Sequence, residues 1–313
     1  MISVDGPLGY LGPAATFTET ALLAVPGARQ RERRPYPTVD AALDAVRRGE
    51  VAAAMVPLEN SVEGGVSATM DAMSAGSQLR VRREVVVPVN FVLAARAGTA
   101  LADVRRISTH AHAWAQCRKW VAANLPDAQH VPGLSTAASA AALAAEQDVG
   151  YDAAMCAQLA AATYGLDVLA HDVADNPYAQ TRFVLVAGPH VPPPAPTGAD
   201  KTSLVLFQRD DYAGGLSDLL GQFAGRGINL TWIQSRPIPT MFGRYSFAID
   251  CEGHIEDARV ADAIRGVYRL CSQVRFLGSY PRADGVPNHV RNGMSDADFA
   301  AAEDWLQALL DHS

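Results

Sequence analysis

The sequence holds only four cysteines, Cys117, Cys156, Cys251 and Cys271, and no two of them form a C-x-x-C pair. That spacing argues against a zinc knuckle or a disulfide-stapled secreted scaffold, and matches a reduced cytosolic chain. Basic residues are not in excess either: 26 Lys and Arg stand against 33 Asp and Glu, a formal net charge of −7. Such a balance gives no support for nucleic acid as a partner, and an anionic ligand would need a locally positive pocket. No apolar run reaches the roughly 18 residues that a membrane-spanning helix needs. The opening Met1-Ile2-Ser3-Val4-Asp5 lacks a basic region followed by an apolar core. No signal peptide is therefore expected, no membrane partner, and a cytoplasmic location.

What remains is an ordinary globular composition, 49% hydrophobic and 19% charged over 313 residues, long enough for two or three domains with separate cores. The clearest boundary is the proline-rich stretch from Gly188 to Asp200. It divides the chain into a first domain over 1–188, a linker over 189–201, a second domain over 202–282 and a tail over 283–313.

Within the first domain, polar residues follow strand-forming runs at several places. In Asn176 to Phe183, Pro177 forces a turn and Phe183-Val184-Leu185-Val186 continues as a buried strand. Thr181 and Arg182 then either mark a strand start or project into a cleft. Thr16 and Glu19 have capping-box spacing ahead of Ala21-Leu22-Leu23, so a helix starting there offers backbone N–H groups and the positive end of its dipole to a carboxylate. Val51 to Val56 reads as a buried strand that runs into Pro57-Leu58-Glu59-Asn60-Ser61 and then Gly64-Gly65. Ligands of open α/β sheets bind at the carboxyl ends of strands, which puts a carboxylate, an amide and a hydroxyl at such a position. After Ile107, a helix starting near Thr109 would carry Thr109, His112 and Gln116 on one polar face, with His110 read as a core or surface residue. The spacing supplies too few ligands for a metal. Arg29 to Arg34 reads as a solvated basic loop.

Past the linker, Thr202–Gln208, Gly215–Arg226, Asn229–Ser235, Arg244–Cys251, Ile255–Leu270 and Val274–Tyr280 alternate as βαββαβ, the ferredoxin-like order. A last helix after Ser295 lines up Phe299, Ala302, Trp305, Leu306, Leu309 and Leu310, a stripe that needs a partner.

Taken together, these blocks resemble one family, the monofunctional prephenate dehydratases. Tyr10-Leu11-Gly12-Pro13 with Thr16-Phe17-Thr18 is similar to the family's opening motif, with Ala15 where glycine is usual. Pro57-Leu58-Glu59-Asn60-Ser61 resembles its Glu-Asn-Ser block. Thr109-His110-Ala111-His112-Ala113 with Gln116-Cys117 resembles its Ser-His-Pro-Gln-Ala…Gln-Cys block, with threonine, alanine and His112 as substitutions. Thr181-Arg182-Phe183 matches its Thr-Arg-Phe signature. Gly214-Gly215-Leu216-Ser217 and Gln234-Ser235-Arg236-Pro237 are similar to the Gly-Ala-Leu-Ser and Glu-Ser-Arg-Pro elements of the family's regulatory ACT domain.

The resemblance implies an α/β catalytic domain of two lobes, like type II periplasmic binding proteins, followed by a ferredoxin-like ACT domain. It implies decarboxylating dehydration of prephenate to phenylpyruvate without metal or cofactor, in phenylalanine biosynthesis. Thr181, Glu59, Asn60 and Gln116 would then be catalytic, with Thr16, Ser61, Thr109, Arg182 and Phe183 holding the substrate. Phenylalanine would bind as effector near Gly214, Gly215, Leu216, Ser217, Asn229, Leu230, Gln234, Ser235, Arg236 and Pro237, and the chain would form a homodimer or homotetramer. Chemistry narrows the roles: hydroxide is a poor leaving group, so Thr181 is read as the donor to it and Glu59 as a source of the proton. Arg182 either grips a carboxylate or braces the lobes. Dehydration of arogenate, and a non-catalytic amino-acid sensor, are the other readings these motifs leave open.

Overall fold

The computed structural model describes residues 6–62, 64–238 and 245–311. Contacts divide the chain into two units, one comprising Asp5–Thr69 and Val85–Leu185, the other including Met70–Glu84 and Val186–Ser313. Glu63 and Arg244 lie outside the described residues, as do Met1 to Asp5.

The first unit begins with β1 (Leu8–Leu11), α1 (Phe17–Leu23), β2 (Arg33–Tyr36), α2 (Val39–Arg47), β3 (Ala53–Asn60) and β4 (Gly64–Gly65). The apolar positions of α2 are Val39, Ala42, Leu43 and Val46, all buried, and Thr38 caps it by accepting from the Ala41 N–H. β1 pairs in parallel with both β2 and β3, so its Leu8 and Tyr10 are enclosed. The strand expected over Val51–Val56 continues to Asn60, because Glu59 and Asn60 pair with Gly65 and Gly64 of β4.

The chain continues through α3 (Ser67–Ser74), β5 (Arg80–Pro88), β6 (Phe91–Ala95), β7 (Arg106–Thr109), α4 (Ala111–Gln116), α5 (Arg118–Asn124) and β8 (Gln129–Pro132). It then runs through α6 (Thr136–Ala145), β9 (Ala153–Ala157), α7 (Gln158–Thr163), β10 (Asp167–Ala170) and β11 (Gln180–Ala187). Two sheets result, in the orders β2-β1-β3-β11-β5, with β4 on β3, and β10-β6-β9-β7-β8. Each sheet is one lobe of the expected α/β pair. In the second, β9 is wholly buried and α6 packs against it through alanines, which let helix and strand approach closely. Phe91, Leu93, Ile107 and Met155 fill the opposite face.

The second unit adds β12 (Asp200–Gln208), α8 (Gly215–Ala224), β13 (Leu230–Pro237), β14 (Tyr245–Glu252), α9 (Ala258–Leu270), β15 (Cys271–Pro281) and α10 (Asp296–Asp311). The antiparallel sheet runs β13-β14-β12-β15, the ferredoxin-like arrangement predicted from the βαββαβ order. Leu204, Leu206, Phe223, Ile249 and Val267 form its core. The segment Met70–Glu84 belongs here too: Glu84, 3% exposed at its side chain, meets Lys201 at 3.0 Å, and Asp71 meets Arg236 at 2.7 Å. On α10 the apolar stripe stays uncovered, with Trp305 and Leu310 both exposed. No described helix is long and apolar enough to cross a membrane.

Candidate active site

A cavity of about 370 Å³ opens in the first unit, and several loops at strand ends supply its walls. Asn60 comes from the end of β3, Thr181 and Phe183 from β11, and Thr16 and Phe17 from the start of α1. His110, His112 and Gln116 come from α4 and its cap, and Leu134, Ser135 and Thr136 from the start of α6. No Asp, Glu, Lys or Arg is among its described lining residues.

The polar pair at its centre is oriented by its own hydrogen bonds. The Val62 N–H donates to Asn60 Oδ1 at 2.8 Å, which turns the amide nitrogen the other way. That Nδ2 donates to Thr181 Oγ1 at 2.8 Å. Thr181 therefore accepts from Asn60, and the hydroxyl proton of this buried side chain remains to be given elsewhere. Gln116 brings a second amide, whose buried Oε1 has no protein partner among the described residues.

Three helices begin at the cavity wall. Thr16 Oγ1 accepts from the Glu19 N–H at 3.4 Å, and Glu19 returns the contact by accepting from the Ala15 N–H at 2.7 Å. Ala15 sits at φ +64°, a backbone region that glycine enters freely and alanine at a cost of about 1–2 kcal/mol, which accounts for the glycine usual at that place. His110 Nδ1 accepts from the His112 N–H at 3.3 Å, and Ser135 Oγ from the Ala138 N–H at 3.0 Å. The approach to Ser135 is tight: a Cβ on Gly133 would lie 2.2 Å from Ser139 Oγ. Helix starts supply N–H groups and partial positive charge, so the cavity can receive anions without a charged side chain.

Of the nine catalytic and substrate residues expected from the sequence, Thr16, Asn60, Gln116, Thr181 and Phe183 meet at this cavity. Thr109 ends β7 rather than opening a helix, and its hydroxyl donates to the Met155 carbonyl at 2.7 Å. Ser61 ties two segments together, since its Oγ accepts from the Gln180 N–H and its own N–H donates to the Gln180 carbonyl, both at 2.9 Å. Arg182 is buried with Nη1 3.9 Å from Glu59 Oε2, and neither residue lines the cavity. The sequence reading left His110 out of the site and attached no role to Leu134, Ser135 and Thr136. Nothing local in the sequence says that the start of α6 lines the same cavity as Thr181. His130 stacks on Trp114 at 4.7 Å and an interplanar angle of 6°, bracing α4 against β8.

The second unit has a smaller cavity of about 200 Å³ at the start of α8, where Gly214, Gly215, Leu216 and Ser217 join Gln208, Asp211, Tyr212 and Phe247. A Cβ on Gly215 would lie 1.8 Å from Gln208 Nε2, so the glycine makes room for that amide. Asn229, Leu230 and Gln234 to Pro237 lie outside this cavity, at or on the edge strand β13.

All four thiols are free and buried. Burial pushes Cys117, Cys156 and Cys251 up to about 12 and Cys271 up to about 11. No cluster of three or more His, Cys, Asp or Glu suited to a metal occurs among the described residues.

Comparison with known proteins agrees with this geometry. The family model described as prephenate dehydratase matches residues 8–190. A prephenate dehydratase of Amycolatopsis methanolica is 45% identical over 302 residues, covering 96% of this chain and 97% of the relative. The crystal structure of prephenate dehydratase from Arthrobacter aurescens in complex with L-Phe is 54% identical, with a TM-score of 0.92 over 97% of this chain and 99% of that one. A structure described as a novel type of quorum-quenching acylase, GqqA, is 29% identical, with a TM-score of 0.78 over 88% of this chain and 97% of that one. With the family's model laid over the unit that holds the cavity, and near-full-length identity to its members, this chain belongs to the prephenate dehydratase family.

Proposed function

We propose that the chain converts prephenate to phenylpyruvate, carbon dioxide and water, and that phenylalanine regulates it through the C-terminal unit. The observation that carries the reading is the Thr181 hydroxyl, held as acceptor by Asn60 at 2.8 Å in the wall of a cavity whose described lining residues include no Asp, Glu, Lys or Arg. Aromatisation of the ring drives the reaction, and its difficulty lies in expelling hydroxide while the C–C bond to the ring carboxylate breaks. That electron pair enters the ring and the C–O bond electrons leave with the hydroxyl oxygen, which must gain a proton. Thr181, already accepting from Asn60, can donate to that oxygen as charge builds on it, an effect commonly worth about 10²–10³ in rate. Gln116 would steer the hydroxyl through its unpaired Oε1.

The two substrate carboxylates would be received by the α6 start at Ser135 and Thr136 and by the Thr16 and Asn60 side chains. Neutral donors suit the carboxylate that departs as carbon dioxide, because a firm ionic grip would stabilise the ground state more than the transition state. The same reading takes prephenate rather than arogenate as substrate, since an ammonium group would find no carboxylate among the described lining residues. Glu59 and Arg182 support the site from outside, as a pair joining β3 to β11.

Domain limits at 188 and 202, an ACT function for the ferredoxin-like unit, a cytoplasmic location and self-association belong to the same reading. Phenylalanine as the effector is supported by the Arthrobacter relative, whose structure is a complex with L-Phe; in this reading it would sit at the cavity beside Gly214 to Ser217. The test is the ultraviolet absorbance of phenylpyruvate after incubation with prephenate, with and without phenylalanine. No product in either case refutes the catalytic reading; product formed at a rate indifferent to phenylalanine refutes the regulatory one.

A further inference from the structure

The second unit contains a cavity of about 320 Å³ that neither the reaction nor the phenylalanine reading uses. Small-molecule sites start at roughly that size. It lies where the chain beyond β15 folds back on the start of α9, among Asp257, Arg259, Asn288, Val290, Met294 and Asp296.

Arg259 is the unusual member. It is 2% exposed, the largest fully buried side chain among the described residues, and yet no carboxylate among them lies within ion-pair distance of it. Its Nη1 reaches the Gly227 and His289 carbonyls at 3.4 and 3.2 Å, both long, and its Nη2 has no partner. A buried guanidinium so thinly satisfied is costly unless an anion completes it. The two carboxylates on the same cavity are engaged on one side only. Asp257 Oδ2 accepts from the His254 N–H at 2.9 Å, and Asp296 Oδ1 from the Ala258 N–H at 2.7 Å. Burial raises the Asp257 carboxyl above its ordinary range, and the His254 N–H and the nearby Arg259 charge only partly oppose the rise. One cation and two anions on a wall that also holds a valine and a methionine match a ligand carrying both charges and an apolar part.

We propose that this cavity binds a free aliphatic α-amino acid, its carboxylate on Arg259, its ammonium between Asp257 and Asp296, and its side chain against Val290 and Met294. The site stands independently of the dehydratase reading, since it shares no residue with the prephenate cavity.

The test is isothermal titration of the full chain with L-leucine, and with its two half-analogues, 4-methylpentanoate, which lacks the ammonium, and 3-methylbutylamine, which lacks the carboxylate. Leucine should bind at millimolar or lower concentration and each analogue about tenfold more weakly. Asp296→Asn keeps an acceptor for the Ala258 N–H while removing the charge. It should weaken leucine about tenfold and leave 4-methylpentanoate unchanged, a difference that a general loss of packing would not produce. Arg259→Lys should weaken leucine and 4-methylpentanoate together; should that variant not fold, the Asp296→Asn comparison decides alone. Absence of leucine binding, or leucine binding equally well to Asp296→Asn, overturns the proposal. Turnover of prephenate by the unaltered chain is a separate measurement and is untouched by either result.

Discussion

Replacing Thr181 with valine isolates the hydroxyl, because the two side chains have nearly the same shape. Two effects follow from the structure. Asn60 Nδ2 loses the acceptor it now holds at 2.8 Å, while its Oδ1 remains fixed by the Val62 N–H. A part-buried donor left without its partner costs about 1–3 kcal/mol, and the added methyl group returns about 0.8 kcal/mol. The net loss of stability is thus about 1 kcal/mol, a fall of about 2–4 °C in Tm for a domain of this size. The chemical step should suffer more: without a donor to the leaving oxygen, kcat falls about 10²–10³-fold, or about 2.7–4 kcal/mol of barrier. KM should stay within a few-fold, since the hydroxyl acts on charge that develops only in the transition state. Steady-state assay of phenylpyruvate formation together with a melting curve reads both quantities. A variant with kcat within threefold of the unaltered chain refutes the assignment, as does a KM that rises in step with the fall in kcat/KM.

Arg182→Lys should lower thermal stability and leave KM for prephenate within a few-fold, because Arg182 faces Glu59 and does not line the cavity; a large rise in KM would return it to substrate binding. Gly133→Ala places a methyl group against Ser139 Oγ and disturbs the turn into the Ser135 cap, so it should cost about 1–3 kcal/mol and raise KM. Unchanged kinetics would remove the α6 start from carboxylate recognition. Glu84→Gln leaves the Lys201 ammonium buried without its counter-charge, a loss of about 3–5 kcal/mol measurable by urea unfolding. A thiol held at about 12 is ionised to only about 10⁻⁴ at pH 8, so Cys117, Cys156 and Cys251 should ignore a disulfide reagent until the chain unfolds. The sign follows from the raised value: reactivity grows only as the pH approaches 12. One fast-reacting thiol among these three in the folded protein would contradict their burial.

Much of the architecture was legible in the residue order. The apolar spacing of Val39, Ala42, Leu43 and Val46 defined α2 because a helix repeats every 3.6 residues. The βαββαβ order defined the C-terminal sheet because short connections leave antiparallel strands few ways to pair. Local signals misplaced Thr109, which looked like a helix start and is the end of β7. Its hydroxyl is taken by Met155, a residue 46 positions away that no local pattern announces. The uncovered stripe on α10 was visible as a stripe, and its exposure was not.

Sequence alone determined which residue types were available for this chemistry: hydroxyls, amides and helix caps at strand ends. Tertiary structure decided which of them meet. Thr181 and Arg182 are adjacent in sequence, yet the hydroxyl reaches the cavity and the guanidinium turns to Glu59, since successive side chains of a strand point to opposite faces. Asn60 and Thr181 form the central hydrogen bond from 121 positions apart, brought together by the order of strands in one sheet. Periodicity along a chain is short-range information, and a contact across a sheet is not.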